Sequence, residues 1–120
     1  MKPTLIIGAS PRSSSYANMA MHALEQAEHK TLLYNPTGRQ VEGRAVYTDL
    51  DQINEEVHTV TLYVRPSRLR PIVDQIIALK PQRIVFNPGT EDEGIIQEFG
   101  GAGIEALEAC TLVMLRTGQY

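Results

Sequence analysis

Short apolar runs alternate with amphipathic stretches along this chain, and this alternation limits the possible folds more than any other feature. Five runs are predicted as strands: 4–8, 31–34, 59–64, 83–87 and 104–109. Between them, apolar side chains recur at helical spacing, which predicts helices over 16–28, 69–77, 91–99 and 112–115. Strands that alternate with helices form βαβ units. The predicted fold is therefore α/β, a single doubly wound parallel sheet of about five strands in a Rossmann-like domain.

Proline and polar residues indicate where these elements begin and end. Pro66 and Pro71 bracket a helix start, and Lys80-Pro81 stops that helix. Thr90 and Glu93 have the spacing of a capping box. Residues 37–58 are the least regular stretch, where we expect a turn over 41–46 and a short helical turn at 49–51.

Length and charge exclude several classes of protein. A chain of 120 residues is the size of one domain, spanning 1–120. The net charge of −3 argues against nucleic-acid binding, and no apolar run reaches the length of a membrane span. The N-terminal apolar stretch is too short for a signal peptide. With one cysteine, no internal disulfide can form, so a cytoplasmic protein is expected.

The loop after the first predicted strand is the strongest candidate site. Ligands of doubly wound sheets bind beyond the carboxyl ends of the strands. This loop leaves the strand at Gly8 and enters a helix near Tyr16, so its amides and the helix dipole could hold a phosphate. Hydroxyl donors and one cation are available in it: Ser10, Arg12, Ser13, Ser14 and Ser15. The alternative is a serine-rich turn in which one hydroxyl caps the helix.

The same loop lacks the motifs of common nucleotide enzymes. It holds one glycine rather than G-x-G-x-x-G, and Tyr34-Asn35-Pro36 stands where a dinucleotide enzyme would need an acid for the ribose hydroxyls. NAD is therefore disfavoured. The chain also has no G-x-x-x-x-G-K-[ST] motif, so it is not a P-loop nucleotidase.

Two further loops reach the same predicted edge. Arg65 follows the third strand, where its guanidinium could bind a phosphate, whereas Arg68 and Arg70 are interpreted as solvated charges. In the fourth loop, acidic residues suit the start of a helix and would repel an anion. Any ligand contact there is expected from Asn87, Pro88, Gly89 and Thr90.

No catalytic residue and no metal ligand is predicted. His22 and His29 lie about two helical turns apart, too far to share a metal. Ser10 is not in a nucleophile elbow, and no histidine is placed in sequence to activate it. Cys110 is interpreted as a buried small hydrophobe, with a thiol facing a ligand as the alternative.

Four motifs together resemble the small stand-alone coenzyme-A-binding domain proteins, relatives of the N-terminal domain of the succinyl-CoA ligase α-subunit. They are, in chain order, Gly8-Ala9-Ser10-Pro11, Asn35-Pro36, Asn87-Pro88-Gly89-Thr90-Glu91 and residues 110–115. The resemblance covers nearly the whole chain. It implies a Rossmann-type sheet with coenzyme A lying across the carboxyl ends of the strands.

The resemblance also implies which residues meet the ligand. The first loop, here Gly8, Ala9, Ser10, Arg12 and 13–16, would hold the CoA phosphates. Asn35 and Pro36 would flank the nucleotide, with Arg39 as the nearest basic residue after them. The remaining ligand contacts would come from Val64, Arg65, Pro66 and from 87–90. The domains that carry the ligase's phosphorylated histidine and its nucleotide-grasp fold are absent, so ligase activity is not expected.

Three functions stay open from the sequence. The first is a non-enzymatic or regulatory protein that binds coenzyme A or an acyl-CoA. The second is an NAD(P)-type dinucleotide-binding redox sensor or enzyme, which the fold permits. The third is a structural or subunit role without a ligand, in which a homo-oligomer or a protein partner covers the apolar stretch 112–115.

Overall fold

A five-stranded, all-parallel sheet forms the centre of the molecule. The computed structural model describes residues 1–120. The strands lie in the order β2-β1-β3-β4-β5. Their bounds are β1 Thr4–Ile7, β2 Thr31–Tyr34, β3 Thr59–Leu62, β4 Arg83–Phe86 and β5 Glu105–Glu108. Because the chain moves outward from β1 to β2 and then returns to β3 on the other side of β1, the strand order reverses beside β1. Ligands of such sheets bind at this reversal.

Helices cover both faces of the sheet, which confirms the predicted doubly wound α/β fold. The helices are α1 Tyr16–Gln26, α2 Pro66–Leu69, α3 Val73–Ala78, α4 Glu93–Gly101 and α5 Thr111–Arg116. Helices α1 and α5 pack on one face, and α2, α3 and α4 pack on the other. No helix combines the length and apolarity that crossing a membrane requires.

Alternation along each strand divides the core into two clusters. Leu5 and Ile7 of β1 belong to a cluster of 17 buried residues on the α3–α4 face. Ile6 belongs to a cluster of 10 on the α1–α5 face. In the larger cluster the rings of Phe86 and Phe99 lie 6.1 Å apart at 55° and join β4 to α4. Because successive strand side chains point to opposite faces, β1, which is buried at all four positions, is covered on both sides.

The predicted second helix is divided into three short segments. Pro66 occupies the first turn of α2, and a 3-10 turn over Arg70–Ile72 separates α2 from α3. Pro71 sits within that 3-10 turn, where its missing N–H group interrupts the regular helical hydrogen bonds. Helix α3 ends before Lys80, whose φ of 55° leaves the helical region as the sequence indicated. The short helical turn expected at 49–51 is present as a 3-10 turn over Leu50–Gln52.

The predicted capping box at the start of α4 is wrong. Asp92 is the N-cap, and its carboxylate accepts a hydrogen bond from the Ile95 amide at 3.0 Å. Thr90 instead donates its hydroxyl to the Asn87 carbonyl at 2.8 Å and is 5% exposed. The tight turn after β4 keeps Thr90 in the loop, and the helix begins two residues later than the capping-box spacing predicted.

Candidate ligand-binding groove

Three adjoining depressions run along the carboxyl edge of the sheet. The largest, which we call the cradle, has a volume of about 480 Å³ and lies between the first loop, the end of β3 and the loop after β4. A smaller side hollow of about 100 Å³ lies toward β2, and an apolar cavity of about 230 Å³ lies toward β5. The cradle shares Gly8 and Val64 with the side hollow, and shares Tyr16, Tyr63 and Pro88 with the apolar cavity. The three therefore form one groove.

The cradle brings together residues from three predicted loops. The first loop contributes Gly8, Ser10, Arg12, Ser15 and Tyr16 to its wall. The later loops contribute Val64, Arg65, Pro88, Gly89 and Thr90. Two further lining residues, Ala17 and Tyr63, were not among the sequence predictions. Tyr63 stands one residue past the end of β3, where the sequence had placed it inside a longer strand.

Hydrogen bonds hold the start of the first loop against β2. The amides of Gly8 and Ala9 both donate to the Tyr34 carbonyl at 3.0 Å. The side-chain amide of Asn35 donates to the Ala9 carbonyl at 2.7 Å. These two amides are satisfied within the protein, so they are not available to an anion.

The start of α1 combines a capped turn with free donors. The Ser15 hydroxyl accepts from the Asn18 amide at 3.1 Å, as the capping alternative predicts. The Asn18 side chain, 2% exposed, donates to the Ser10 carbonyl at 3.0 Å and fixes the loop. The backbone amides of Tyr16 and Ala17 form no hydrogen bond within the protein. A capped helix start thus still offers donors and a positive dipole end to an anion.

Two arginines supply positive charge to the cradle without a protein partner. Arg12 and Arg65 line the cradle and form no ion pair, whereas Arg44 is paired with Glu25 and Arg70 with Glu98. Free guanidinium groups can bind phosphate oxygens through two hydrogen bonds at once.

The side hollow is built around Asn35 and Pro36 beside the end of β2. Arg68 also lines it, although the sequence interpretation placed Arg68 among the solvated charges. It follows Arg65 by three residues, which is close to one helical turn. From that spacing, the sequence analysis could have predicted that both side chains lie at the carboxyl edge of the sheet.

Asn87 serves the architecture of the groove. It is 3% exposed, and its side-chain nitrogen donates to Thr61 Oγ1 at 2.7 Å and to the Leu62 carbonyl at 2.8 Å. Its side-chain oxygen accepts from the Thr111 amide at 2.9 Å. One buried amide therefore ties β3 and the start of α5 to the end of β4, and both of its hydrogens are used.

The apolar cavity is lined by side chains without formal charge. Its walls are Tyr16, Tyr63, Asn87, Pro88, Cys110 and Leu112. Burial raises the pKa of Tyr63 to about 12, so the phenol is neutral at physiological pH. Cys110, at the N-cap of α5, is half-buried and faces this cavity, so the alternative of a thiol at the groove matches its position.

Several predicted ligand contacts lie outside the three linings. They are Ala9, Ser13, Ser14, Arg39 and Pro66. Ala9 is buried and supports the loop, and Pro66 begins α2. Ser13 and Ser14 are exposed in the first loop, and Arg39 is exposed in the loop after β2. Contact of these three residues with a ligand stays a prediction.

None of the three histidines lines the groove. His22 pairs with Glu42 at 2.8 Å on the outer face of α1, and His29 accepts a hydrogen bond from the Lys2 amide at 2.9 Å. His58 contacts Thr59 Oγ1 at 2.7 Å before β3. Nowhere do three histidine, cysteine or acidic side chains group so as to hold a metal ion.

Comparison with known proteins identifies one matching family. The sequence profile of the CoA binding domain family matches residues 2–116. The crystal structure of an uncharacterized protein is 38% identical, with a TM-score of 0.89, and the match covers 100% of this chain and 98% of that one. No functionally curated protein matches the sequence.

Two more distant structures share the fold. A Thermus thermophilus protein superposes with a TM-score of 0.87 at 22% identity, covering 99% of this chain and 90% of its own. The acetyl-coenzyme A synthetase 1 of Ca. Korarchaeum cryptofilum, solved with phosphate and ADP, gives a TM-score of 0.73 at 17% identity. That match covers 90% of this chain and 25% of the synthetase chain.

Proposed function

This chain belongs to the CoA binding domain family, and on that premise we propose that it binds coenzyme A or an acyl-CoA along the groove at the carboxyl ends of its strands. The observation that carries the proposal is the cradle itself. Unpaired Arg12 and Arg65 stand there with the free amides of Tyr16 and Ala17. Cations and helix-terminal amides that lack protein partners are what a phosphate group needs.

The cradle also has the close backbone approach that a bulky phosphate chain requires. Gly8 has a φ of +93°, and a Cβ atom there would meet the Tyr63 carbonyl oxygen at 3.0 Å. The absence of that atom lets the first loop pass close to the end of β3 and keeps the cradle open between them. A pyrophosphate bound here would lie over the start of α1, with Arg12 and Arg65 on its flanks.

The adenosine end is assigned to the side hollow. Asn35 and Pro36 form one wall there, and Arg68 adds a cation suited to a phosphate on the ribose. The nucleotide would then lie toward β2, the phosphates in the cradle, and the pantetheine arm would continue toward β5. This direction follows from the order of the three depressions along the sheet edge.

The groove supports a binding role, regulatory or otherwise non-enzymatic. A hydroxyl or thiol nucleophile needs a base within hydrogen-bond reach. The titratable groups along the groove are arginines, tyrosines and Cys110. The histidines lie elsewhere and are occupied by protein contacts. We therefore propose that occupancy by the CoA ligand is itself the signal or the stored state.

A thermal-shift titration tests the proposal directly. The intact protein is titrated with CoA, acetyl-CoA, NAD, NADH and ATP. A ligand that binds only the native state adds RT ln(1 + [L]/Kd), about 2.7 kcal/mol at a hundred times Kd. We expect CoA species to raise Tm and NAD and NADH to leave it unchanged. A rise with NADH alone would overturn the proposal in favour of a dinucleotide, and no rise with any CoA species would also refute it.

A further inference from the structure

The apolar cavity is the part of the groove that phosphates and adenosine leave unfilled. It adjoins the cradle through Tyr16, Tyr63 and Pro88, so a ligand anchored in the cradle can extend into it without crossing a wall. Cys110 and Leu112 form its far side, at the start of α5. The end of a CoA molecule that is farthest from the adenosine can therefore enter this adjoining apolar cavity.

The chemistry of the lining restricts what can enter. No arginine, lysine or histidine contributes to the cavity. Both amide hydrogens of Asn87 are already donated to Thr61 and Leu62. The Tyr63 hydroxyl is buried and unpartnered, so Tyr63 presents mainly its ring. A carboxylate placed here would find no cationic side chain in the lining.

We propose that this cavity receives the thioester end of the ligand and makes the protein selective for CoA carrying an uncharged acyl group. Selectivity would operate against dicarboxylic acyl groups through the absence of a cationic side chain in the lining. This inference rests on the proposed function, because it assumes that the cradle anchors the CoA phosphates.

The first test measures Kd by titration calorimetry for CoA, acetyl-CoA, propionyl-CoA and succinyl-CoA. We expect acetyl-CoA and propionyl-CoA to bind at least as tightly as CoA, and succinyl-CoA to bind at least tenfold more weakly. Equal affinity for acetyl-CoA and succinyl-CoA would overturn the selectivity while leaving the proposed function intact. Failure of every CoA species to bind would overturn the proposed function and the selectivity with it.

A charge placed in the cavity wall provides a matched pair of variants. Leu112→Lys puts a cation into the lining, and we expect it to shift the ratio of succinyl-CoA to acetyl-CoA affinity at least fivefold toward succinyl-CoA. Val113→Lys adds the same charge at the next residue of α5, which is 42% exposed and outside the cavity, and should leave the ratio unchanged. Equal shifts in both variants would contradict the assignment. Thermal melts establish that both variants are folded.

Cys110 provides a direct reporter of where the thioester end lies. It is the only cysteine in the chain, so alkylation by iodoacetamide is read as a single mass change. Acetyl-CoA should slow its alkylation at least fivefold. Adenosine 3′,5′-bisphosphate, which lacks the pantetheine arm, should not slow it even at concentrations that raise Tm. Saturation with acetyl-CoA without protection of Cys110 would place the acyl group elsewhere and overturn the inference.

Discussion

A Cβ atom on Gly8 would lie 2.9 Å from the Cγ1 atom of Val64, closer than real side chains approach. The first loop therefore passes close to the residues that follow β3, at the place where the strand order of the sheet reverses. The positive φ of Gly8, +93°, directs the chain away from β1 and over the cradle. One glycine thus fixes both the direction of the first loop and its distance from the neighbouring strand.

Gly8→Ala is expected to lower the free energy of unfolding by about 1–3 kcal/mol, through strain in the left-handed region and the clash with Val64. Gly43→Ala is the matched control, since Gly43 has a φ of +79° but nothing within 4 Å of its added Cβ. Both variants carry the backbone strain, and only the first carries the clash. Urea denaturation measures the difference, and equal losses would show that the Val64 contact has no energetic effect. Only Gly8→Ala should also weaken CoA binding.

Arg12→Ala and Arg65→Ala are each expected to raise the Kd for CoA about five- to tenfold, because each removes a charged hydrogen-bond donor from an open site. Arg116→Ala removes the same charge from the exposed end of α5 and should leave Kd unchanged. Calorimetry at two salt concentrations adds a second readout. Salt screens exposed charge pairs, so Kd should rise with salt in the wild type and rise less in the first two variants. Identical salt dependence in the wild type and all three variants would show that Arg12 and Arg65 do not bind the CoA phosphates.

Asn87→Ala is expected to cost about 1–3 kcal/mol of stability. It deletes the buried amide and leaves the Leu62 carbonyl and the Thr111 amide without a partner. Asn54, an exposed residue in the connection before β3, provides the control, and its alanine variant should change stability by less than about 0.5 kcal/mol. Chemical denaturation monitored by circular dichroism distinguishes the two. A neutral result for Asn87→Ala would mean that water or a shifted neighbour replaces the lost bonds.

Stability is expected to fall between about pH 10 and pH 12. Burial raises the pKa of Tyr63 to about 12 in the folded protein, whereas the unfolded chain releases that proton near pH 10. The folded state therefore binds more protons in this window, and the free energy of unfolding falls as pH rises, by on the order of 2 kcal/mol. Below pH 10 both states are protonated and the dependence vanishes. The raised pKa of Tyr120, also caused by burial, acts in the same direction.

Tyr63→Phe separates the contribution of Tyr63 to the alkaline loss of stability from that of Tyr120. The variant should lose part of the alkaline decline while matching or exceeding the wild-type stability at pH 7, since it removes a buried hydroxyl that forms no hydrogen bond. Denaturation curves from pH 8 to pH 12 provide the measurement. An unchanged alkaline decline would attribute the effect to Tyr120 or to other groups.

The sequence alone determined the architecture. Five strand-like runs separated by amphipathic stretches allow few arrangements other than a parallel sheet covered on both faces, because adjacent apolar residues of a strand point to opposite faces and both must be buried. The positions of the strands then place the first, third and fourth loops at one edge, whatever the details of packing. For this reason Arg12, Arg65 and the loop after Gly8 could be predicted from the sequence as candidate ligand contacts.

Only the tertiary structure decided which side chains are free and which are occupied. Asn87 and Arg12 were both predicted to contact the ligand, yet packing directs the Asn87 amide into a buried hydrogen-bond network and leaves the Arg12 guanidinium exposed in the cradle. Tyr63 and Leu112 line one cavity although they lie 49 residues apart in the sequence. Such contacts depend on distances across the sheet, and local periodicity contains no information about them. The sequence could therefore predict the edge of the sheet at which a ligand is expected, while the proposed direction and acyl group of the ligand rest on the order and chemistry of the three depressions.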